Sequence, residues 1–444
     1  MRQHVERVVD LLDPTLNHLY NMDAEEARRR VRSGDPAAVR DIDGSFALVA
    51  REGITVRLAR SLDRPLRYFL AKRQEGPALF VADRIDALRD ALVAEGLDDQ
   101  FHPSYTRMVP AHYVVEIQLV GCPDPDPTYT RFFTPGRDAL PGDLDEIGRR
   151  YIGAVAAETT KWLTSLEAGP GRGREPIGVA FSGGIDSGAV LLVLYDTMLR
   201  LGLSPGRLKA FTLNLGDGPD AAQARAFLEP LGLSMFLEEI VSDARELDVT
   251  ETLQTLEDYK PLDVECAAVG LRLCRGIRER CPDWRHLALG DGGDENLKDY
   301  PIEENRELTI RSVVNNLMLY QEGWGVGRIK HSLTYSGGLS RGCVRTYAPL
   351  RRFGFAGFAP FMAPDVIEVA EGIPFAALTG YDVPTLYALK GEIVRRGVKA
   401  ITGLDMPVFP KRRFQHGALS ADRLAARLGG AESAYRRRFL ALYA

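Results

Sequence analysis

Cysteine is scarce in this 444-residue chain, which has five: Cys122, Cys266, Cys274, Cys281 and Cys343. No two of them form a Cys-x-x-Cys pair, so the pattern offers neither a zinc site nor a redox centre. So few in so long a chain make no disulfide framework, and they fit a reducing, cytoplasmic setting. A run of about 18 apolar residues, which a membrane-spanning helix needs, is missing. The opening "MRQHVERVVDLL" is too charged for a signal peptide. An excess of positive charge is missing as well. The 56 Lys and Arg stand against 61 Asp and Glu for a net charge of −5, which gives no basic field for a nucleic acid. Internal repeats and low-complexity tracts are absent, so the chain is no solenoid or linker array.

What is there describes a globular protein with 45% apolar and 26% charged residues, long enough for two domains. Residues 1–40 read as helix. From Asp43 to about Phe133 short β runs alternate with Gly, Pro and Asp, as in antiparallel strands. "TPGRDALPGD" (134–143) reads as a linker. Beyond it, helices at 144–168, 187–201, 220–231, 249–257 and 264–279 alternate with strands at 176–181, 208–215, 234–240 and "HLALG". That order predicts a parallel sheet covered by helices, and the final third reads as mainly helical. The fold class is α/β, with an antiparallel β domain over 1–135 and a parallel-sheet domain over 144–444.

The stretch "GVAFSGGIDSGAVLLVLY" (178–195) carries the first chemical signal. A strand runs into two glycines, and a helix starts at once. In parallel sheets ligands bind where strand ends meet helix starts. Gly183 and Gly184 let the backbone approach a ligand closely. The amides from Ser182 to Ser187 then favour an anion, and two serine hydroxyls add donors. Asp186 would be out of place in an anion site unless it holds Mg²⁺ bound to that anion. Ser-Gly-Gly alone is equally a capped turn; the following Asp-Ser and the strand–loop–helix context favour the phosphate loop.

This segment resembles the Ser-Gly-Gly-x-Asp-Ser pyrophosphate loop of the ATP pyrophosphatase superfamily, the adenine nucleotide α-hydrolase-like fold. A second stretch, "LALGDGGDENLKDY" (287–300), resembles the Leu-Ser-Gly-Glu/Asp-Gly-x-Asp-Glu segment of asparagine synthetases. The intervening "LKAFTLNLGDGPDAAQARAFLEPLGL" and "TLEDYKPLDVECAAVGLRL" resemble the same family, as does "PVFPKRRFQHG" (407–417), its Lys-x-x-Phe-x-x-Gly stretch. The resemblance implies ATP contacts at Ala180, Ser182, Gly183, Gly184, Asp186, Ser187, Leu213, Leu289, Gly290 and Gly292. It implies Mg²⁺ ligation by Asp186 and Asp294, and a catalytic lysine at Lys411, where charge builds on the α-phosphate. Read alone, Lys411 is an ordinary surface lysine. Asp291 stands where asparagine synthetases place a glutamate and β-lactam synthetases a tyrosine. It could orient or deprotonate an amine, or merely satisfy loop amides.

Residues 42–117 resemble the later half of a class II glutamine amidotransferase domain in degenerate form. Position 2 is Arg2 and no cysteine precedes Cys122, so glutaminase chemistry does not carry over. The acceptor site departs too. Glu265-Cys266-Ala267 stands for the family's Arg-Ala-Ser, and Phe358 replaces an arginine in its Glu-x-Arg-x-Pro-Phe. Glu265 and Phe358 are thus the candidate substrate residues, and a buried Glu265 would call for a cation. The resemblance implies an ATP- and Mg²⁺-dependent ligase that adenylates a small-molecule or peptide carboxylate and joins it to an amine or ammonia. Relatives lacking the cysteine, the β-lactam synthetases and lasso-peptide cyclases, point towards specialised metabolism. A tRNA-base adenylating enzyme, an amidotransferase fed by a separate glutaminase and a non-catalytic nucleotide-binding scaffold stay as alternatives, with a homodimer admitted as the assembly.

Overall fold

A computed structural model of the chain describes residues 7–72, 77–119, 126–168, 175–300, 302–304, 308–316, 341–410 and 414–444. They fall into two compact units. The first runs to Thr134 and includes Phe439–Ala444; the second takes Pro135–Gly325 and Arg341–Arg438 where described.

The strands of the first unit are β1 (Arg7–Asp10), β2 (His18–Leu19), β3 (Gly44–Ser45), β4 (Ala47–Glu52), β5 (Thr55–Arg60), β6 (Arg67–Ala71), β7 (Ala78–Ala82), β8 (Arg107–Met108), β9 (Tyr113–Gln118) and β10 (Thr128–Arg131). They form sheets of order β1-β7-β6-β8 and β10-β9-β5-β4, with β2 and β3 as a separate pair. Strand alternation decides what each face meets. Leu79 and Val81 of β7 join Val56, Leu58, Val115 and Ile117 of the other sheet in one core. Ala78, Phe80 and Ala82 instead pack on Leu88 and Leu92 of the Ile85–Ala94 helix. The helical reading of residues 1–40 is corrected here. The Ala24–Ser33 helix is present, capped by Asp23 and closed by Gly34 at φ +70°, and Pro36–Arg40 is a short helix. Arg7–Asp10, however, is a strand pairing in parallel with β7. Four residues carry no period of their own, and a distant partner decides their state.

The second unit is built on a five-stranded parallel sheet. Its strands are β11 (Ile177–Ala180), β12 (Leu208–Asn214), β13 (Leu237–Val241), β14 (His286–Ala288) and β15 (Ala356–Phe358). Their order is β13-β12-β11-β14-β15, with every neighbouring pair parallel. Four strands and the helices Leu144–Ala168, Ile185–Arg200, Asp220–Leu228, Val249–Leu256 and Pro261–Arg280 stand where the sequence places them, within a few residues. β15 is the addition: three residues centred on Gly357 give no strand signal and rely on β14 for pairing. The helix Val383–Thr402 crosses Leu144–Ala168 so closely that a Cβ on Gly397 would stand 2.3 Å from the Gly148 carbonyl oxygen. It also packs on the Ile185–Arg200 helix, and so runs past the start of that helix. Among the described residues no helix is long and apolar enough to cross a membrane.

Candidate active site

The loop after β11 bends at Gly183, whose φ of +71° suits glycine and whose missing Cβ would otherwise lie 3.0 Å from Gln223 backbone atoms. Ser182 holds the turn from inside. Its hydroxyl accepts from the Gly184 amide at 3.2 Å and lies 3.3 Å from the Ser187 hydroxyl. Gln223 Nε2 donates to the Ser182 carbonyl from the neighbouring helix at 3.3 Å. Gly184 is the N-cap of the Ile185–Arg200 helix and brings no side chain to its amides. The start of this sixteen-residue helix is its positive end, which suits an anion.

The loop after β14 meets this one face to face. A Cβ on Gly293 would stand 2.2 Å from Asp186 Oδ1, so only glycine lets the two loops close. Asp186 and Asp294 then converge on one nitrogen. Lys390 Nζ, from the Val383–Thr402 helix, lies 2.6 Å from Asp186 Oδ2, hydrogen-bonds Asp294 Oδ1 and is 3.5 Å from Asp299. Lys390 is 2% exposed. Burial works against its charge, but Asp186, Asp294 and Asp299 together outweigh burial and hold the ammonium well above its ordinary range. Two carboxylates able to share one cationic atom are also able to share a divalent ion, and an all-oxygen pair suits Mg²⁺. Among the described residues no group of three or more His, Cys, Asp or Glu is arranged to hold a metal. An ion here would therefore complete its shell with phosphate oxygens and water.

Both loops open into a cavity of about 250 Å³ at the C-terminal ends of β11, β12 and β14. Its lining includes the apolar Phe211, Leu213, Leu289, Val269 and Leu273. The same lining carries the acidic Asp186, Asp291, Asp294 and Glu295, together with Lys390. Thr346, on the Arg341–Arg352 helix, donates a hydrogen bond to Asp291 Oδ2. Burial pushes the Asp291 carboxyl up to about 7, against the opposing pull of that hydroxyl. Burial and the adjacent Asp294 charge push Glu295 up as well.

Of the residues singled out in the sequence, Ala180, Ser182, Gly184, Asp186, Ser187, Leu213, Leu289, Gly290, Asp291, Gly292 and Asp294 line this cavity. Gly183 shapes its loop from behind. Lys411 lies outside the described residues, although Phe409, Pro410 and Ala418 on either side of it in sequence line the cavity. Glu265 and Phe358 are not in the lining. Glu265 acts on Tyr435, while Cys266 beside it faces the cavity. Phe358 stacks on Trp162 with ring centroids 4.3 Å apart and planes at 6°, the packing of a core residue. The sequence reading missed Lys390, Arg345 and Thr346. Lys390 did leave a trace: it shares the apolar stripe of Leu386, Leu389, Ile393 and Val394, where a solvated lysine would not belong.

Comparison with curated proteins gives no match to the chain. A family model, asparagine synthase, matches residues 171–336, a segment holding the Ser182–Ser187 loop, the helix that carries Cys266 and the acidic loop from Leu289 to Asp294. That family points to ATP-dependent formation of carbon–nitrogen bonds. Over residues 171–336 this chain carries an asparagine synthase domain.

Proposed function

We propose that the protein is an amide-forming ligase that adenylates a substrate carboxylate and passes the acyl group to an amine. The observation that carries this reading is the convergence of Asp186 and Asp294 on one cationic nitrogen, in a cavity lined by both acidic and apolar side chains. The carboxylate oxygen attacks the α-phosphorus of ATP, the bond from that phosphorus to the bridging oxygen breaks, and pyrophosphate leaves. The amine nitrogen then attacks the acyl carbon, AMP departs, and the nitrogen gives up a proton. The Ser182–Ser187 amides and hydroxyls receive the pyrophosphate, Lys390 offsets its charge, and Asp291 accepts the proton. Mg²⁺, held by Asp186 and Asp294, would neutralise phosphate charge. Lys411 is assigned to the charge that develops on the α-phosphate.

The region 1–135 is read as a degenerate glutamine amidotransferase-like domain, and 144–444 as the synthetase. The first cysteine in that region is Cys122, so residues 1–121 bring no thiol for releasing ammonia from glutamine. Hydroxylamine, a small nucleophile that intercepts acyl-adenylates, tests the reading. With ATP, Mg²⁺ and a panel of carboxylic acids, at least one acid should give a hydroxamate and an equal amount of AMP. Hydroxamate formation accompanied by ADP would contradict it.

A further inference from the structure

A guanidinium also reaches the cavity. Arg345 Nε lies 2.8 Å from Asp263 Oδ1. Asp263, in the first turn of the Pro261–Arg280 helix, keeps 2% of its side chain exposed, whereas Arg345 keeps 21% and lines the cavity. The two helices meet at Gly270, where a Cβ would stand 3.3 Å from the Arg345 carbonyl oxygen. That contact brings two consecutive residues, Arg345 and Thr346, to the cavity wall, and Thr346 holds Asp291. A cation and a carboxylate are thereby placed next to each other on one wall. Their needs differ. Among the described residues Asp263 engages Arg345 through Nε alone, and a guanidinium has four further N–H donors in a planar fork suited to a carboxylate. Asp291 hydrogen-bonds only a neutral hydroxyl among the described residues.

Resting on the reading that Asp291 faces the amine, we infer that Arg345 receives a carboxylate carried beside that amine, so that the acyl acceptor is an amino acid rather than ammonia. The charge balance favours this. A zwitterion sets an ammonium against Asp291 and a carboxylate against Arg345 and leaves the net charge of the wall unchanged; ammonia or a plain amine serves only one of the two. The sequence had suggested that a cation for an acidic group was lost at Glu265 and Phe358. Arg345 supplies one to the cavity from a different helix.

The test is binding, without turnover. The full chain is loaded with Mg²⁺ and α,β-methylene-ATP, and the twenty L-amino acids and their matched α-amides are titrated by calorimetry. At least one amino acid should bind about tenfold more tightly than its amide, the worth of one charge-assisted hydrogen bond. Arg345→Gln alone would strand the buried Asp263, so it is combined with Asp263→Asn, and the preference should fall to about twofold or less. Asp263→Asn alone should keep it, because Arg345 remains. No binding by any amino acid, amides that bind as well as acids, or a preference that survives the double substitution would each overturn the inference. Hydroxamate and AMP formation, which do not need the natural acceptor, report separately on the adenylation reading.

Discussion

Lys390 and Asp186 stand 2.6 Å apart, nitrogen to oxygen, across 204 residues of sequence. The ammonium also joins Asp294 and lies within 3.5 Å of Asp299, so one buried cation offsets three carboxylates. Removing one partner of a buried pair strands the other. Lys390→Met should lower unfolding stability by about 3 kcal/mol, read as a shift of the urea midpoint, and Asp186→Asn in the same chain should recover part of it. A midpoint unchanged by Lys390→Met would show that the lysine does not carry this charge.

The Asp291 carboxyl gives a pH signature. Its folded value, about 7, lies above the roughly 4 of an unfolded aspartate. Between those values the folded chain binds the extra proton, so the stability this group contributes is full below about pH 4 and is lost as pH rises through 7. The span is about 4 kcal/mol at most. Asp291→Asn removes the effect, and its stability relative to the wild type should grow steadily from pH 4 to pH 8 in chemical denaturation. Curves that stay parallel would contradict this. Amide formation in the wild type should rise with pH through 7 as the carboxylate becomes able to take a proton, and that rise should vanish in the Asn variant.

If Lys411 meets charge that develops only in the transition state, Lys411→Ala should leave nucleotide affinity nearly intact. Single-turnover adenylation should fall by roughly 10²–10³-fold. Asp186→Ala should instead weaken Mg²⁺–ATP binding itself. Near-normal adenylation in Lys411→Ala would make Lys390 the principal cation of the site.

Phe358 is buried against Trp162, so its substitution should read as a packing defect. Phe358→Ala should cost about 3–5 kcal/mol of stability, while the order of preference among carboxylic acids in the hydroxamate assay stays as in the wild type. A changed order of acids at unchanged stability would return Phe358 to the substrate site.

The parallel sheet and the two loops were legible in the sequence because strand, glycine turn and helix follow one another without a gap at 177–200 and recur at 286–296. Short-range patterns of that kind survive in a sequence. What escaped was decided by distant partners. β1 is a strand because Ala78–Ala82 pairs with it, and β15 because β14 does. Lys390 and Arg345 enter the site from helices more than 40 residues beyond the acidic loop. Glu265 was expected at the cavity because it stands where the resembling family has an arginine, yet a helix turns about 100° per residue, which gives the wall to Cys266 and leaves Glu265 beside Tyr435.

The most direct measurement is the fate of the nucleotide. With α-³²P- and γ-³²P-labelled ATP, Mg²⁺ and an acid that supports hydroxamate formation, cleavage beside the α-phosphorus predicts AMP and pyrophosphate in equal amounts, matching the amide formed. Labelled ADP and inorganic phosphate as the primary products would contradict adenylation and, with it, the assignment of the Ser182–Ser187 loop to pyrophosphate.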